Sequence, residues 1–227
     1  MKIWRCAVGV AVGVMQIVAA AGQEPELPRP GTITVAEVAG RLLLVAEGQR
    51  KALKADDRVR VGATVATERR SVGLLHLSNG ASVQLGSESE LEIEEFGQAP
   101  ATSASKFAEL KAEPTFSRTR LRLVRGDVVL DVKPLRVARG SSFSLTLEAG
   151  TLRITDGSVR VALAMSEFGL GVCTLELLRG GAEFELPGGA AAAMPAGKKL
   201  SFAIERDRTT GAIKVGEMPK PQAAEKK

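Results

Sequence analysis

Three groups of side chains have types and spacings that could do chemistry. The chain's only histidine, His76, and the cysteine at 173 could form a base and nucleophile pair of the kind exported cysteine transpeptidases use. In "SESELEIEEF" the carboxylates of Glu90, Glu92 and Glu94 recur at every second residue and could offer oxygens to calcium. In "RTRLRLVRG" the guanidinium groups of Arg118, Arg120, Arg122 and Arg125 form a basic row that could hold an anionic polymer.

Each group also has a plainer reading. His76 alternates with Leu75 and Leu77, so if the leucines enter a core the imidazole faces out as a solvated strand residue. A transition-metal site needs three or four converging ligands, and no second histidine exists to join it. Cys173 shares parity with Leu175 and Leu177, which predicts a core thiol. Apolar surroundings disfavour the thiolate that nucleophilic attack requires. The Thr-Leu-x-Thr-Cys approach of sortases and the Ser-x-Gly-Cys motif of L,D-transpeptidases are both missing. Carboxylates two apart on a strand lie about 7 Å apart, which is loose for one calcium ion. A solvated glutamate face, or one paired across to the Arg row, is therefore expected. No Gly-x-Ser-x-Gly elbow, P-loop or dinucleotide fingerprint occurs, so no catalytic residue and no cofactor are assigned.

The elements that must position these groups read as strands. Alternation of apolar and polar residues surrounds Asn79-Gly80 in "GLLHLSNGASVQLGS", the pattern of a β-hairpin. The device recurs in "LRLVRGDVVLDV", "LRITDGSVRVAL" and "LELLRGGAEFEL", with Asp156-Gly157 matching a second type I′ turn. Unequal spacing of Gly80, Gly126, Gly157 and Gly180 excludes a fixed-period solenoid. The expected fold is all-β: a β-sandwich, β-roll or irregular β-helix built from short hairpins. In "SASKFAELKAEP" one or two helical turns are expected, with Phe107 and Leu110 inward and Pro114 as terminator. The segment from 186 to 197 reads as a small-residue loop.

The N-terminal 22 residues have the layout of a secretory signal peptide: Lys2 and Arg5, an apolar run to about Ala21, then small residues. That predicts a periplasmic or secreted protein with no membrane span once the signal is cleaved. Cleavage would remove two of 31 Lys and Arg, leaving 29 against 26 Asp and Glu, so the net charge falls from +5 to +3. It would also remove Cys6, so Cys173 would have no disulfide partner and stability must rest on packing. With no Tyr and with Trp4 in the signal, the basic stretch from 118 to 139 lacks the aromatic partners nucleic acid would want. The chain divides into a signal (1–22), a lead with the first strands (23–53), an all-β domain (54–213) and a disordered polar tail (214–227).

Several of these stretches together resemble the FecR domain, a module of exported bacterial proteins. "LKADDRVRVGATVATERRSVGLLHLSNGASVQLGSESELEIEEF" is similar to the family's opening strands and Asn-Gly turn, and "EPTFSRTRLRLVRGDVVLDVKPL" to the central strand pair of its stand-alone members. "GSSFSLTLEAGTLRITDGSVRV" and "MPAGKKLSF" are similar to its later strands, with "TDGSV" standing where the family has Arg-Gly-Thr-x-Phe. The resemblance implies an all-β interaction module with no catalytic residue to carry over. In the transmembrane regulators the domain relays a signal from an outer-membrane receptor to a sigma factor through a cytoplasmic segment. Only five residues precede the apolar run here, so that segment is not expected. The expected role is a non-catalytic envelope scaffold or sensor, contacting an envelope protein or an anionic polymer. Its surfaces would be the Glu90 to Glu94 row or the Arg118 to Arg125 row. The competing readings are an exported cysteine enzyme using Cys173 with His76, and a polysaccharide-binding module.

Overall fold

The computed structural model describes residues 29–46, 48–100, 106–189, 191–207 and 209–216. The signal peptide expected at 1–22 and the tail from 217 onward lie outside them. The described strands are β1 (Arg29–Pro30), β2 (Ile33–Ala39), β3 (Leu42–Ala46), β4 (Gln49–Leu53), β5 (Arg58–Val59), β6 (Thr64–Thr67), β7 (Val72–Leu77) and β8 (Ser82–Leu85). They continue as β9 (Glu90–Gln98), β10 (Ser117–Val132), β11 (Ser142–Leu147), β12 (Gly150–Met165), β13 (Leu170–Glu185), β14 (Ala191–Ala193), β15 (Lys199–Arg206) and β16 (Ile213–Val215). Among the described residues the helical content is two single 3-10 turns, Phe107–Glu109 and Val137–Arg139. The fold is all-β, as expected from the sequence.

All sixteen strands join one mixed sheet whose main path runs β16-β15-β13-β12-β11-β10-β8-β7-β2-β5. The path ends at β16 and β5, so the sheet is not closed into a barrel. Among the described residues its one parallel contact lies between β10 and β11. The buried apolar side chains form a single cluster reaching from Ile33 to Ile204.

One hairpin is where the sequence put it. β7 and β8 pair antiparallel around residues 78–81, with His76 opposite Ser82. Gly80 N–H closes a turn onto Leu77 O at 2.9 Å, and Gly80 itself takes φ +91°. Asn79 is not left-handed, so this is a four-residue connection ending in a glycine bulge instead of a type I′ turn.

The other three glycine motifs are not hairpin turns. Gly126, Gly157 and Gly180 lie inside β10, β12 and β13, each a continuous strand of 16 residues. What they do is change which face is buried. In β10 the buried set runs Leu121, Leu123 and then Val128, Leu130, Val132, so parity switches across Gly126. β12 switches between Ile154 and Val159, and β13 between Leu177 and Ala182. An extra residue in a strand turns every following side chain to the opposite face, and left-handed glycine is the residue that accommodates the bulge. Each long strand therefore buries apolar residues in both halves while the sheet turns a corner. Partners change at the same places: β10 pairs with β9 and β11 before Gly126, and with β8 and β12 after it. Ser89 pins this bulge, its hydroxyl accepting Asp127 N–H and donating to Asp127 O, both at 2.9 Å.

The expected boundary at residue 53 does not divide the structure. β2 pairs with β7, β3 with β6 and β1 with β9, and Ile33, Val35 and Leu42 belong to the common core. At the other end β16 holds Lys214 and Val215 against β15, so the first residues of the expected tail are strand. The small-residue loop likewise contains β14, whose three alanines pair with β13, and buries Met194.

Candidate functional interface

The glutamate and arginine rows are one surface, not two. β9 and β10 are antiparallel neighbours whose register sets Glu95 opposite Arg120, Glu92 opposite Arg122 and Glu90 opposite Arg125. Arg120 bonds Glu94 at 3.3 Å and Glu95 at 3.1 Å, Arg125 meets Glu90 at 3.2 Å, and Arg122 lies 3.8 Å from Glu92. A bulge between Arg120 and Leu121 gives two glutamates to one arginine. The side chains of Arg120, Arg122 and Arg125 remain 54%, 51% and 60% exposed. Pairs this open contribute little stability, about 0.2–1 kcal/mol each. Their significance is the pattern they present to solvent.

The polar face continues across β11, β12 and β13. Arg120 registers with Ser144, Ser144 with Arg153 and Arg153 with Glu183. Arg153 forms its own ion pair with Glu185 at 2.7 Å. At the other end of the ladder lies a cleft of about 340 Å³, lined among others by Leu43, Val45, Arg50, Arg69, Glu90 and Arg125. Flanking it, Arg70 and Glu88 hold left-handed backbone at φ +59° and +55°, an uncommon conformation for such residues. Arg118, grouped with the ladder from sequence, stands apart. It registers with Gly97 and Ser142, and its guanidinium lies 5.6 Å from the Phe116 ring centre.

His76 and Cys173 are not brought together as a pair. Cys173 lies in β13 between Leu163 and Phe202 in register, fully buried, and burial pushes its thiol up to about 12. His76 is in β7, with β8, β10 and β12 between the two strands along the sheet. Its ring faces outward as expected but is not bare: Phe107 stacks on it, ring centres 3.7 Å apart and planes within 9°. Phe107 therefore does not enter the core as expected: half-buried in a 3-10 turn with no buried residue, it covers the outer face of the sheet at His76. Loss of solvent lowers the His76 pKa below its ordinary 6.5. A lowered pKa means the neutral ring is favoured in the fold, so its contribution is present above about pH 6.5 and is lost as pH falls. Phe107→Ala returns the ring to water, and an NMR titration should show the His76 pKa rising toward 6.5. An unchanged titration midpoint in that variant would remove Phe107 as the cause. Among the described residues no group of three or more His, Cys, Asp or Glu side chains has a metal-ligating arrangement.

No protein-family model matches the chain, and no curated protein matches it. Two crystal structures of a "putative anti-sigma factor" from Parabacteroides distasonis ATCC 8503 are similar over 67% of this chain, at 13% identity and TM-scores of 0.42 and 0.41. The match spans 58% of that protein's length.

The sequence offered no sign of the polar cluster at the start of β10. Glu113 is 1% exposed. One carboxylate oxygen accepts the Ser117 hydroxyl and the other accepts Arg136 N–H at 2.9 Å. Asn79, at 2% exposure, donates from its amide to Ser117 Oγ at 3.0 Å and Thr119 Oγ1 at 3.2 Å. The Asn of the hairpin turn is therefore a tie between the β7–β8 connection and β10. Buried polar groups are costly unless paired, and here the Ser117 hydroxyl links the Asn79 amide to the Glu113 carboxylate. Glu113→Ala should lower stability by about 2–4 kcal/mol, because it strands the Ser117 hydroxyl and the Arg136 amide. Urea unfolding followed by circular dichroism measures this, and a loss below about 1 kcal/mol would show the network to be slack.

Proposed function

We propose that this chain is a non-catalytic, exported binding module of FecR-like type, working in the periplasm or outside the cell as a scaffold or sensor for an envelope protein. The observation that carries the reading is the Glu/Arg ladder: Glu90, Glu92, Glu94 and Glu95 against Arg120, Arg122 and Arg125 on one open sheet face. A face of alternating sign gives a partner protein both orientation and register, since like charges meeting across an interface are strongly disfavoured. The sealed Cys173 thiol supports the non-catalytic part, because its thiolate is scarce at neutral pH. Export rests on the layout of residues 1–22, and the FecR likeness on the strand and turn motifs.

A protein partner is favoured over an anionic polymer by the ladder itself. Arg120, Arg122 and Arg125 each already face a glutamate, so a polyanion would meet as much negative as positive charge. The test is affinity capture from envelope extract, using the full chain with a C-terminal tag at low and moderate salt. The expected result is a protein partner retained by the wild type and lost by the Arg120→Glu, Arg122→Glu double variant. Capture unaffected by that variant would remove the ladder as the contact surface, and recovery of polysaccharide alone would favour the polymer reading. The mass of the purified chain tests export directly, with a new N-terminus expected near residue 22.

A further inference from the structure

Beyond the Arg120 end of the ladder, the residues that follow β9 and those that lead into β10 meet the turn Val137–Arg139 around a cleft of about 330 Å³ lined by Pro100, Pro114, Phe116, Arg136 and Arg139 among others. Its walls combine apolar rings with two guanidinium groups. Backbone and side-chain bonds hold it together: Thr115 donates its hydroxyl to Ala99 O at 2.7 Å, and Ala99 N–H bonds Phe116 O at 2.8 Å. Arg136 is fixed twice by Glu113, its backbone N–H bonded to the carboxylate at 2.9 Å and its Nε to Glu113 O at 3.0 Å. Arg139 N–H bonds Arg136 O at 2.8 Å, and Gly140 at φ +84° ends the turn.

The arginines here differ from those of the ladder. Among the described residues no carboxylate lies within ion-pair distance of Arg118, Arg136 or Arg139. Arg118 adds a third cation over the Phe116 ring. The buried Glu113 supplies one negative charge beneath them, with both oxygens already engaged. Three cations over one anion leave the cleft positive. With Nε of Arg136 occupied, its terminal nitrogens stay available, and guanidinium groups recognise carboxylates through paired bonds.

We infer that this cleft binds a carboxylate carried on a small apolar body, the guanidinium groups of Arg136 and Arg139 taking the charge and Phe116 with the prolines taking the apolar part. The volume falls near the lower end of the range for small-ligand sites, about 300–1,000 Å³, so one ring or one to two amino-acid residues would fill it. Such a group could come from a free organic acid or from the C-terminal end of a peptide. The cleft shares no lining residue with the ladder, and the inference does not depend on the ladder's role.

Isothermal titration of the full chain with 3-phenylpropionate, with 3-phenylpropionamide and with N-acetyl-Ala-Phe in its free-acid form tests this. Both acids should bind at least about tenfold more tightly than the amide, since one charge-assisted bond is worth that factor. Binding of the peptide acid alone would identify a chain terminus as the source, and equal binding of both acids would show that a free acid suffices. Arg139→Gln should weaken acid binding about tenfold with an unchanged unfolding midpoint, because that side chain makes no hydrogen bond or ion pair to the described residues. Arg120→Gln, in the ladder, should leave binding intact. Acid and amide binding alike, no binding of either acid, or an Arg139→Gln variant equal to wild type would each overturn the inference.

Discussion

Gly157→Val lowers the stability of this protein by about 3–5 kcal/mol, the sum of backbone strain and overlap in a tight contact. Gly157 has φ +101°, and a Cβ there would lie 2.0 Å from Arg179 O and 2.6 Å from Gly180 Cα. Those atoms are backbone of the paired strand, which cannot rotate aside as a side chain would. Gly180 returns the constraint, its own Cβ falling 2.3 Å from Asp156 O. The two glycines are directly opposite in the β12–β13 register, so each leaves room for the other's backbone where both strands change the face they bury. Gly48 provides the control: φ is +77° but nothing lies within 4 Å of its added Cβ. Gly48→Ala should therefore cost only the conformational part, about 1–2 kcal/mol. Urea midpoints compare the two variants, and a Gly157→Val loss no greater than that of Gly48→Ala would show that the strands part freely at the corner.

The Cys173 thiol should resist alkylation as strongly as any in a folded core. With its pKa raised from 9.0 to about 12 by burial, the thiolate fraction at pH 8 falls about a thousandfold. Iodoacetamide labelling, read at Cys173 by peptide mass, should stay near zero in the native chain and become complete on unfolding. Rapid native labelling would revive the cysteine-enzyme reading. The same shift sets a dependence on alkaline pH. Below pH 9 both folded and unfolded thiols keep their proton, and the burial contribution is fully present. Above it the unfolded chain releases the proton first, so stability falls by about 1.4 kcal/mol per pH unit until the folded thiol also titrates near 12. Cys173→Ala removes that slope, and an identical slope in the variant would assign it to other groups.

Alternation carried much of this structure in plain sight. Leu75, Leu77, Val83 and Leu85 are all buried, as their spacing around Asn79-Gly80 requires. The parity of Cys173 with Leu175 and Leu177 placed the thiol in the core correctly. Ladder pairing was legible as a possibility, because two strands with matching charged rows can neutralise each other only as neighbours. Gly126, Gly157 and Gly180 misled for a physical reason. A left-handed glycine suits a hairpin turn and a mid-strand bulge equally well, and local sequence does not distinguish them. Glu113 was invisible for a different one: nothing near it in sequence reveals that Asn79 and Arg136 fold back onto the same spot.

The sequence by itself determined the all-β class, the apolar faces of the short strands, the β7–β8 hairpin and the inward thiol. These follow from side-chain period and turn chemistry, which act between residues close along the chain. Tertiary structure alone decided that β10, β12 and β13 run on through their glycines, that the β9 carboxylates meet the β10 guanidiniums, and that Arg136 and Arg139 stand beside Phe116 without an ion pair to the described residues. Those outcomes depend on register between distant segments. Register is fixed when the whole apolar set finds one common core, and no single stretch of residues contains that information.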